Sequence, residues 1–273
     1  RWPASAVALG ALSNPHAIAA ASALERWIYR HAQLITAPTE GIVAALAPLA
    51  QARGKAQRVW PVVDLERFDP RPPAPADNGA RAPLRLLWAG TVGLAHGLDV
   101  LVEAARLAGP EALQATIAGD GADAPRIRAI VAQRRVTNVK LLGAVAADRV
   151  PGLYADADAS AVLLRDLPIF EGALPTKMLE AMAAARPLVL AARGEAARLV
   201  TTAGAGVVVV PGEPQELADA CRRLHADPQL RRALGAAGRR YAETHFGAAR
   251  AAEQWAMQLD AALARHGAKA VSR

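Results

Sequence analysis

Two rhythms of apolar and polar positions divide the chain. From Leu84 onward, short and almost unbroken apolar runs recur at 84–89, 115–118, 139–142, 159–163, 188–191 and 207–210. Runs of this length, rich in Val, Ile, Leu and Ala, mark strands buried on both faces. Between them, at 97–108, 123–134, 148–155, 176–185 and 194–203, apolar residues fall three and four apart. That is the spacing of amphipathic helices. The alternation predicts βαβ units and a doubly wound α/β domain whose parallel sheet is covered on both sides. Three closing helices are predicted at 214–226, 228–244 and 248–265.

Ahead of Leu84 the pattern is shorter. Residues 17–30 carry Ile18, Leu24, Trp27 and Ile28 at helical spacing, and 33–37 reads as a strand. Thr39 can cap a helix running to about Ala50, and 58–63 reads as a second strand. The stretch 69–83, DPRPPAPADNGARAP, can sustain neither helix nor sheet pairing. The expected organisation is therefore 1–69 as the C-terminal part of one Rossmann-like unit and 70–83 as linker. Residues 84–246 form a complete Rossmann-like domain, with 247–273 as helix and tail.

Composition narrows the function classes. Hydrophobic residues are 53% and charged residues 21% of 273, so a sizeable core can form and disorder is excluded. No uncharged apolar run reaches the ~18–20 residues of a membrane span. The net charge is +7, and of 32 basic residues only four are lysines, Lys55, Lys140, Lys177 and Lys269. Such a balance suits a phosphorylated ligand or an anionic membrane surface. Arginines spread evenly and without interleaved aromatics argue against a nucleic-acid groove. The single cysteine, Cys221, lies in a helical stretch and reads as a packed thiol, which leaves no disulfide framework and no cysteine-based zinc site.

In open α/β sheets ligands sit at the carboxyl ends of strands, and three loops there carry candidate chemistry. Gly90-Thr91-Val92-Gly93, followed by His96 and Gly97, links a strand to a helix; it reads either as a plain tight turn or as a loop whose glycines bring backbone N–H groups to an anion, with His96 donating to a phosphate or satisfying a local backbone carbonyl. It is neither GxGxxG nor a Walker A loop. In 167–187, Thr176 is placed to cap a helix whose first turns carry Lys177 and Glu180 on one face. A carboxylate there can accept from two ribose hydroxyls, and an ammonium can neutralise a diphosphate. Gly194-Glu195 opens the next helix beside the same cleft. Asp156-Ala157-Asp158 spells DxD but reads as a helix-end turn, and Gly119-Asp120-Gly121 reads as turn chemistry.

Taken in order, 2–7 (WPASAV), 35–41 (ITAPTEG), 89–98, 118–121, 174–187 and 194–195 resemble family-4 glycosyltransferases of the two-Rossmann, GT-B fold. The resemblance is closest to the bacterial subgroup that builds O-antigen, capsule and colanic-acid polysaccharides. It implies a nucleotide-sugar donor, usually UDP-linked, and transfer with retention to a glycan or polyprenyl-diphosphate-linked acceptor. Cofactors and an essential metal are expected to be absent, because positive side chains and helix N-termini stabilise the leaving phosphate. By position, Glu180 matches the ribose-binding carboxylate, Gly90 to Gly93 the loop beside the diphosphate, and 142–145, with Gly143, the backbone that meets the base. The general base and most of the acceptor-side domain are expected ahead of Arg1, so this chain is expected to bind donor and to transfer poorly alone. The expected setting is the cytoplasm, with peripheral contact to the membrane.

The resemblance has departures. Many members carry a lysine where this chain has His96; the first of two glutamates eight apart is Gly172 here, with Glu171 beside it; and a frequent glycine is Ala185. Lys177, assisted by Arg165 or His96 as imidazolium, is expected to supply the missing positive charge. That expectation needs Glu180 at the crevice and the space beside Gly90 clear of packed side chains. A non-catalytic nucleotide-sugar binding fragment and a sugar-nucleotide epimerase are the competing readings.

Overall fold

The structure is a computed structural model that describes residues 2–49, 51–70 and 82–271, so the 70–83 linker falls almost wholly outside the described residues. The first part comprises α1 (Trp2–Ala8), α2 (Pro15–His31), β1 (Ile35–Ala37), α3 (Glu40–Leu46) and β2 (Ala56–Arg58). Asn14 caps α2 by accepting from the His16 and Ala17 amides, and Thr39 caps α3 by accepting from Ile42. β1 and β2 pair in parallel, Ile35 opposite Ala56. α2 has no buried residue, and Leu24, Trp27 and Ile28 on its apolar side are exposed.

The predicted strand at 58–63 is corrected: pairing ends at Arg58. Beyond it the chain turns onto the second unit, where the Trp60 amide donates to Gln254 and the Val63 amide to the Phe246 carbonyl. Val63 and Phe68 are buried in that unit's core.

The second part alternates as predicted: β3 (Leu84–Ala89), α4 (Leu98–Ala108), β4 (Leu113–Ala118), α5 (Ala124–Gln133), β5 (Val139–Gly143), α6 (Val150–Asp156) and β6 (Ala159–Leu163). There follow α7 (Thr176–Ala183), β7 (Leu188–Ala191), α8 (Gly194–Ala203), β8 (Gly206–Val209), α9 (Pro214–Ala226), α10 (Pro228–His245) and α11 (Ala248–Val271). The six strands are parallel in the order β5-β4-β3-β6-β7-β8. Strand order reverses between β3 and β6, so the crevice at their carboxyl ends is the switch point of the sheet.

The sheet separates two cores. On one face Leu84, Leu86 and Leu113 pack with α4, α5 and α9; on the other Leu87, Val162 and Leu188 pack with α6, α7 and α8. Gly235 and Gly238 let α10 lie against Ala185 and Met182, the close approach through small residues that an alanine-rich chain favours. α7 ends with Ala185 at φ +54 and the Arg186 amide donating to the Ala181 carbonyl. This left-handed stop favours glycine, which accounts for the glycine usual at that position in the family resembled. Cys221 is buried, with its thiol pushed up to about 12 by burial, as expected of a packed side chain.

Candidate functional site

The walls of the switch-point crevice are backbone held very close. The Gly90 amide donates to the Ala118 carbonyl, Val92 to Asp120, Asp123 to Val92, and Gly119 to Gly143. A Cβ on Gly119 would sit 1.7 Å from the Gly90 carbonyl oxygen, and one on Gly121 would sit 2.5 Å from that of Val92. Both have positive φ, +148 and +154. The Gly119-Asp120-Gly121 turn is thus the bed on which the Gly90 loop lies, a role beyond the turn chemistry read from sequence. The loop also differs from expectation in its free donors. Amides of Gly90, Val92, Gly93 and His96 all donate to protein carbonyls, so it offers an anion fewer N–H groups than its glycines suggest.

The charge in the crevice comes from α7. Its N-cap is Pro175 and not Thr176, which is its first helical residue and makes no capping bond. From the next position Lys177 reaches across to β3: a Cβ on Gly90 would lie 3.2 Å from Lys177 Nζ. The ammonium stands 3.5 Å from the centroid of the Trp88 ring. Lys177 is only 8% exposed, and its Nζ has no hydrogen-bond partner among the described residues; nor has Nε1 of the buried Trp88. The indole face compensates the Lys177 ammonium in part, as a cation–π contact, but a buried donor with no acceptor still carries a desolvation penalty of ~1–3 kcal/mol. Burial pushes the Lys177 ammonium down to about 7, against the opposing pull of the Glu180 charge. The space beside Gly90, expected to be clear of packed side chains, is occupied by the end of the Lys177 side chain.

His96 lies on the same indole, edge-on with ring centroids 5.2 Å apart, and its Nδ1 is 3.3 Å from the Leu163 carbonyl. Burial and then the Lys177 charge push its imidazole down to about 4. The expectation of an imidazolium assisting Lys177 is corrected: His96 is neutral at physiological pH. The resemblance expected a lysine at the position His96 occupies; in this chain the buried cation near that position is Lys177, from α7. Arg165 follows β6 and donates from Nε to the Leu94 carbonyl at 2.6 Å. His96, Gly97, Leu163, Arg165, Ala191 and Gly212 are among the residues lining a cavity of about 210 Å³ at these strand ends.

Glu180, one turn beyond Lys177, is half-buried, and its Oε2 accepts from the Tyr154 hydroxyl at 3.2 Å. Gly143 lies across from Val92 and Gly119 in a narrow cleft. The structure thus draws Gly90, Thr91, Val92, Gly93, His96, Arg165 and Lys177 around the ends of β3 and β6, with Glu180 behind Lys177 and Gly143 at the β5 edge. Tyr154 was not among the residues singled out. The signal that could have found it is chemical: a tyrosine among small helical residues is buried, and its hydroxyl then needs a partner.

Gly194 and Glu195 do something else. The Glu195 amide donates to the Glu171 carbonyl at 2.7 Å, while its Oε1 accepts from the Gly41 amide at 3.1 Å. Thr39 Oγ1 donates to the Gly172 carbonyl at 2.6 Å. These bonds fasten α3 to the loop ahead of α7, along a seam holding a cavity of about 560 Å³ lined by Ile42, Phe170, Glu171, Gly172 and Arg198 among others. The DxD triplet lies at the end of α6, as read from sequence, and its Asp158 is held in a fork with Arg85 at 2.9 and 3.0 Å.

Residues 83–227, more than half the chain, match the sequence model of the family described as Glycosyl transferases group 1. A D-inositol 3-phosphate glycosyltransferase of Xylanimonas cellulosilytica is 34% identical over 69% of this chain and 47% of its own length. An alpha-D-kanosaminyltransferase of Streptomyces kanamyceticus is 29% identical over 54% of this chain and 37% of its own. The chain thus spans about half the length of the curated relatives it matches, or less. Among solved structures, Anabaena HepE in complex with UDP-glucose superposes with a TM-score of 0.73 at 22% identity, over 86% of this chain and 65% of that one. Sucrose-phosphate synthase from Thermosynechococcus elongatus gives 0.73 at 25% identity, over 87% and 61%. The doubly wound, GT-B type reading of the fold agrees with these neighbours.

Proposed function

The chain belongs to the group 1 glycosyl transferases, and on that premise we propose that its switch-point crevice takes a nucleoside-diphosphate sugar, with Lys177 on the diphosphate and Glu180 on the ribose hydroxyls. The observation that carries the reading is the unpartnered Lys177 ammonium held against Gly90. A diphosphate placed there gives Lys177 Nζ the acceptor it lacks. In the transfer step the same ammonium neutralises charge as the glycosyl–oxygen bond breaks and the diphosphate leaves. Preorganised positive charge is the main contribution a protein makes to such a departure. Neutral His96 gives its one N–H to the Leu163 carbonyl and so offers the diphosphate no donor, while Arg165 adds charge at the crevice rim.

UDP is the favoured carrier, supported by the similarity to HepE, whose complex holds UDP-glucose. Retention, a glycan or polyprenyl-diphosphate acceptor and a role in cell-surface polysaccharide synthesis are the further parts of the proposal, and rest on the resemblance carried by the ordered stretches from 2–7 to 194–195. Of the two curated relatives one is named for a different acceptor, D-inositol 3-phosphate, and the other only for the sugar it transfers, which leaves the donor half as the better supported part. No metal is assigned to the mechanism. No helix among the described residues is long and apolar enough to cross a membrane, so a membrane-held acceptor would be met at the surface. Gly194 and Glu195 enter this reading as the fastening between the two units rather than as donor contacts.

Isothermal titration with UDP, GDP and UDP-sugars tests the proposal. Binding of UDP that is lost at least tenfold in Lys177→Met supports it; equal affinity in the variant refutes it.

A further inference from the structure

Tyr154 is sealed in the core at 0% exposure, and its hydroxyl reaches α7 from α6. That oxygen lies 3.2 Å from the Lys177 carbonyl and 3.2 Å from Glu180 Oε2. One hydroxyl therefore meets the backbone of the residue assigned to the diphosphate and the carboxylate assigned to the ribose. Its position is fixed from both ends. The ring stands edge-on to Phe68, with centroids 5.6 Å apart. The Tyr154 backbone carbonyl accepts from Nε of buried Arg186 at 2.8 Å. Neither ring nor backbone can shift without disturbing the core beneath α7.

We propose that Tyr154 is a positioning residue for the nucleotide ribose: its single hydroxyl proton, shared between the Glu180 carboxylate and the Lys177 carbonyl, orients that carboxylate so that Glu180 meets both ribose hydroxyls. This rests on the assignment of Glu180 to the ribose. The chemistry is one-directional. The hydroxyl stays protonated because burial, and then the Glu180 charge, push its ionisation well above the usual tyrosine range. It is thus a permanent donor toward a carboxylate, a pairing stronger than a neutral one. A carboxylate has about four acceptor positions, so the bond from Tyr154 leaves enough for two ribose hydroxyls while removing the freedom to rotate away from them.

The experiment compares UDP with 2′-deoxyuridine diphosphate by titration calorimetry on the purified chain, in wild type, Tyr154→Phe and Glu180→Gln. Tyr154→Phe keeps the ring on Phe68 and removes only the hydroxyl. In wild type a hydrogen bond to a charged group should favour UDP by about tenfold or more. In Tyr154→Phe, UDP should weaken by about three- to tenfold while the deoxy nucleotide changes little, so that the preference collapses toward that of Glu180→Gln. Tyr154→Met, similar in bulk and without a hydroxyl, is expected to show the same pattern and serves if the phenylalanine variant does not fold. Equal weakening of both nucleotides would mean a merely structural role and would overturn the proposal. So would an unchanged preference in Tyr154→Phe alongside a lost one in Glu180→Gln, which leaves the ribose assignment standing. A preference that survives Glu180→Gln overturns that assignment itself, and this inference with it.

Discussion

Removing the Lys177 charge should change how stability responds to pH, by an amount the structure sets. A lysine in water titrates near 10.5; burial against Trp88 and Gly90 brings Lys177 to about 7. At ~1.4 kcal/mol per tenfold change in proton affinity, the folded chain bears a penalty of about 5 kcal/mol for the charged form. Below pH 7 both folded and unfolded chains hold the proton, and the penalty is borne in full. As pH rises through 7 the folded chain releases the proton while the unfolded chain keeps it to ~10.5, so the folded state gains stability over that window. Between pH 6.5 and pH 9, wild type should gain about 2.5 kcal/mol relative to Lys177→Met. Urea unfolding at constant ionic strength measures it. Because the other titrating groups are common to both proteins, the difference isolates Lys177.

Ligand binding must show the opposite slope. The ammonium has to be charged to neutralise a diphosphate whose last ionisation, at ~6, is already complete. UDP should therefore bind wild type about 50-fold more weakly at pH 9 than at pH 7, and Lys177→Met should show almost no such dependence. Parallel stability profiles for the two proteins, or a UDP affinity in wild type that is flat over this range, would refute the reasoning.

Four other outcomes follow from the geometry. Gly119→Ala forces a Cβ onto the Gly90 carbonyl at 1.7 Å and should lower stability by more than about 3 kcal/mol or abolish folding; a near-native melting curve would contradict it. Ala185→Gly relieves the left-handed φ of +54 at the end of α7 and should raise stability by about 0.5–1 kcal/mol, against no gain if the turn is unstrained. His96 is pushed down to about 4 by burial, so the unfolded chain takes up its proton first and stability should fall as pH drops from ~6.5 to about 4. His96→Gln should remove up to about 3 kcal/mol of that fall, read from acid unfolding curves. Finally, Glu195→Gln with Thr39→Ala should speed amide exchange across α3 while leaving β3 and β6 protected; unchanged exchange in α3 would show that the seam is held elsewhere.

The six strands of the main sheet were legible because each is buried on both faces and leaves little room for a polar residue. The bounds of α9, Pro214–Ala226, were legible too, since proline at its start and Asp227 at its end act within a turn of the boundary. What could not be read depended on residues distant in sequence. Arg58–Val63 looks like a strand by its apolar residues, but those after Arg58 are apolar for the sake of Phe246 and α11. Gly194-Glu195 looks like an anion-binding helix start, and only the folded chain reveals the Glu171 carbonyl on the Glu195 amide, where a ligand would accept. His96 carries no mark of its neutrality, which Trp88 and Lys177 impose. Lys177 and Glu180 were recognisable because helical spacing alone puts them on one face, whereas the Tyr154 hydroxyl that meets both comes from a helix 23 residues earlier.

The central claim is that a nucleoside diphosphate lies between β3 and β6 on Lys177 and Glu180. A crystal structure of the chain grown with UDP tests it most directly. The account predicts a phosphate oxygen about 3 Å from Lys177 Nζ and the ribose hydroxyls on the Glu180 carboxylate. Nucleotide bound in the seam beside Glu195 and Gly172, with Lys177 still resting unpaired on Trp88, would contradict it.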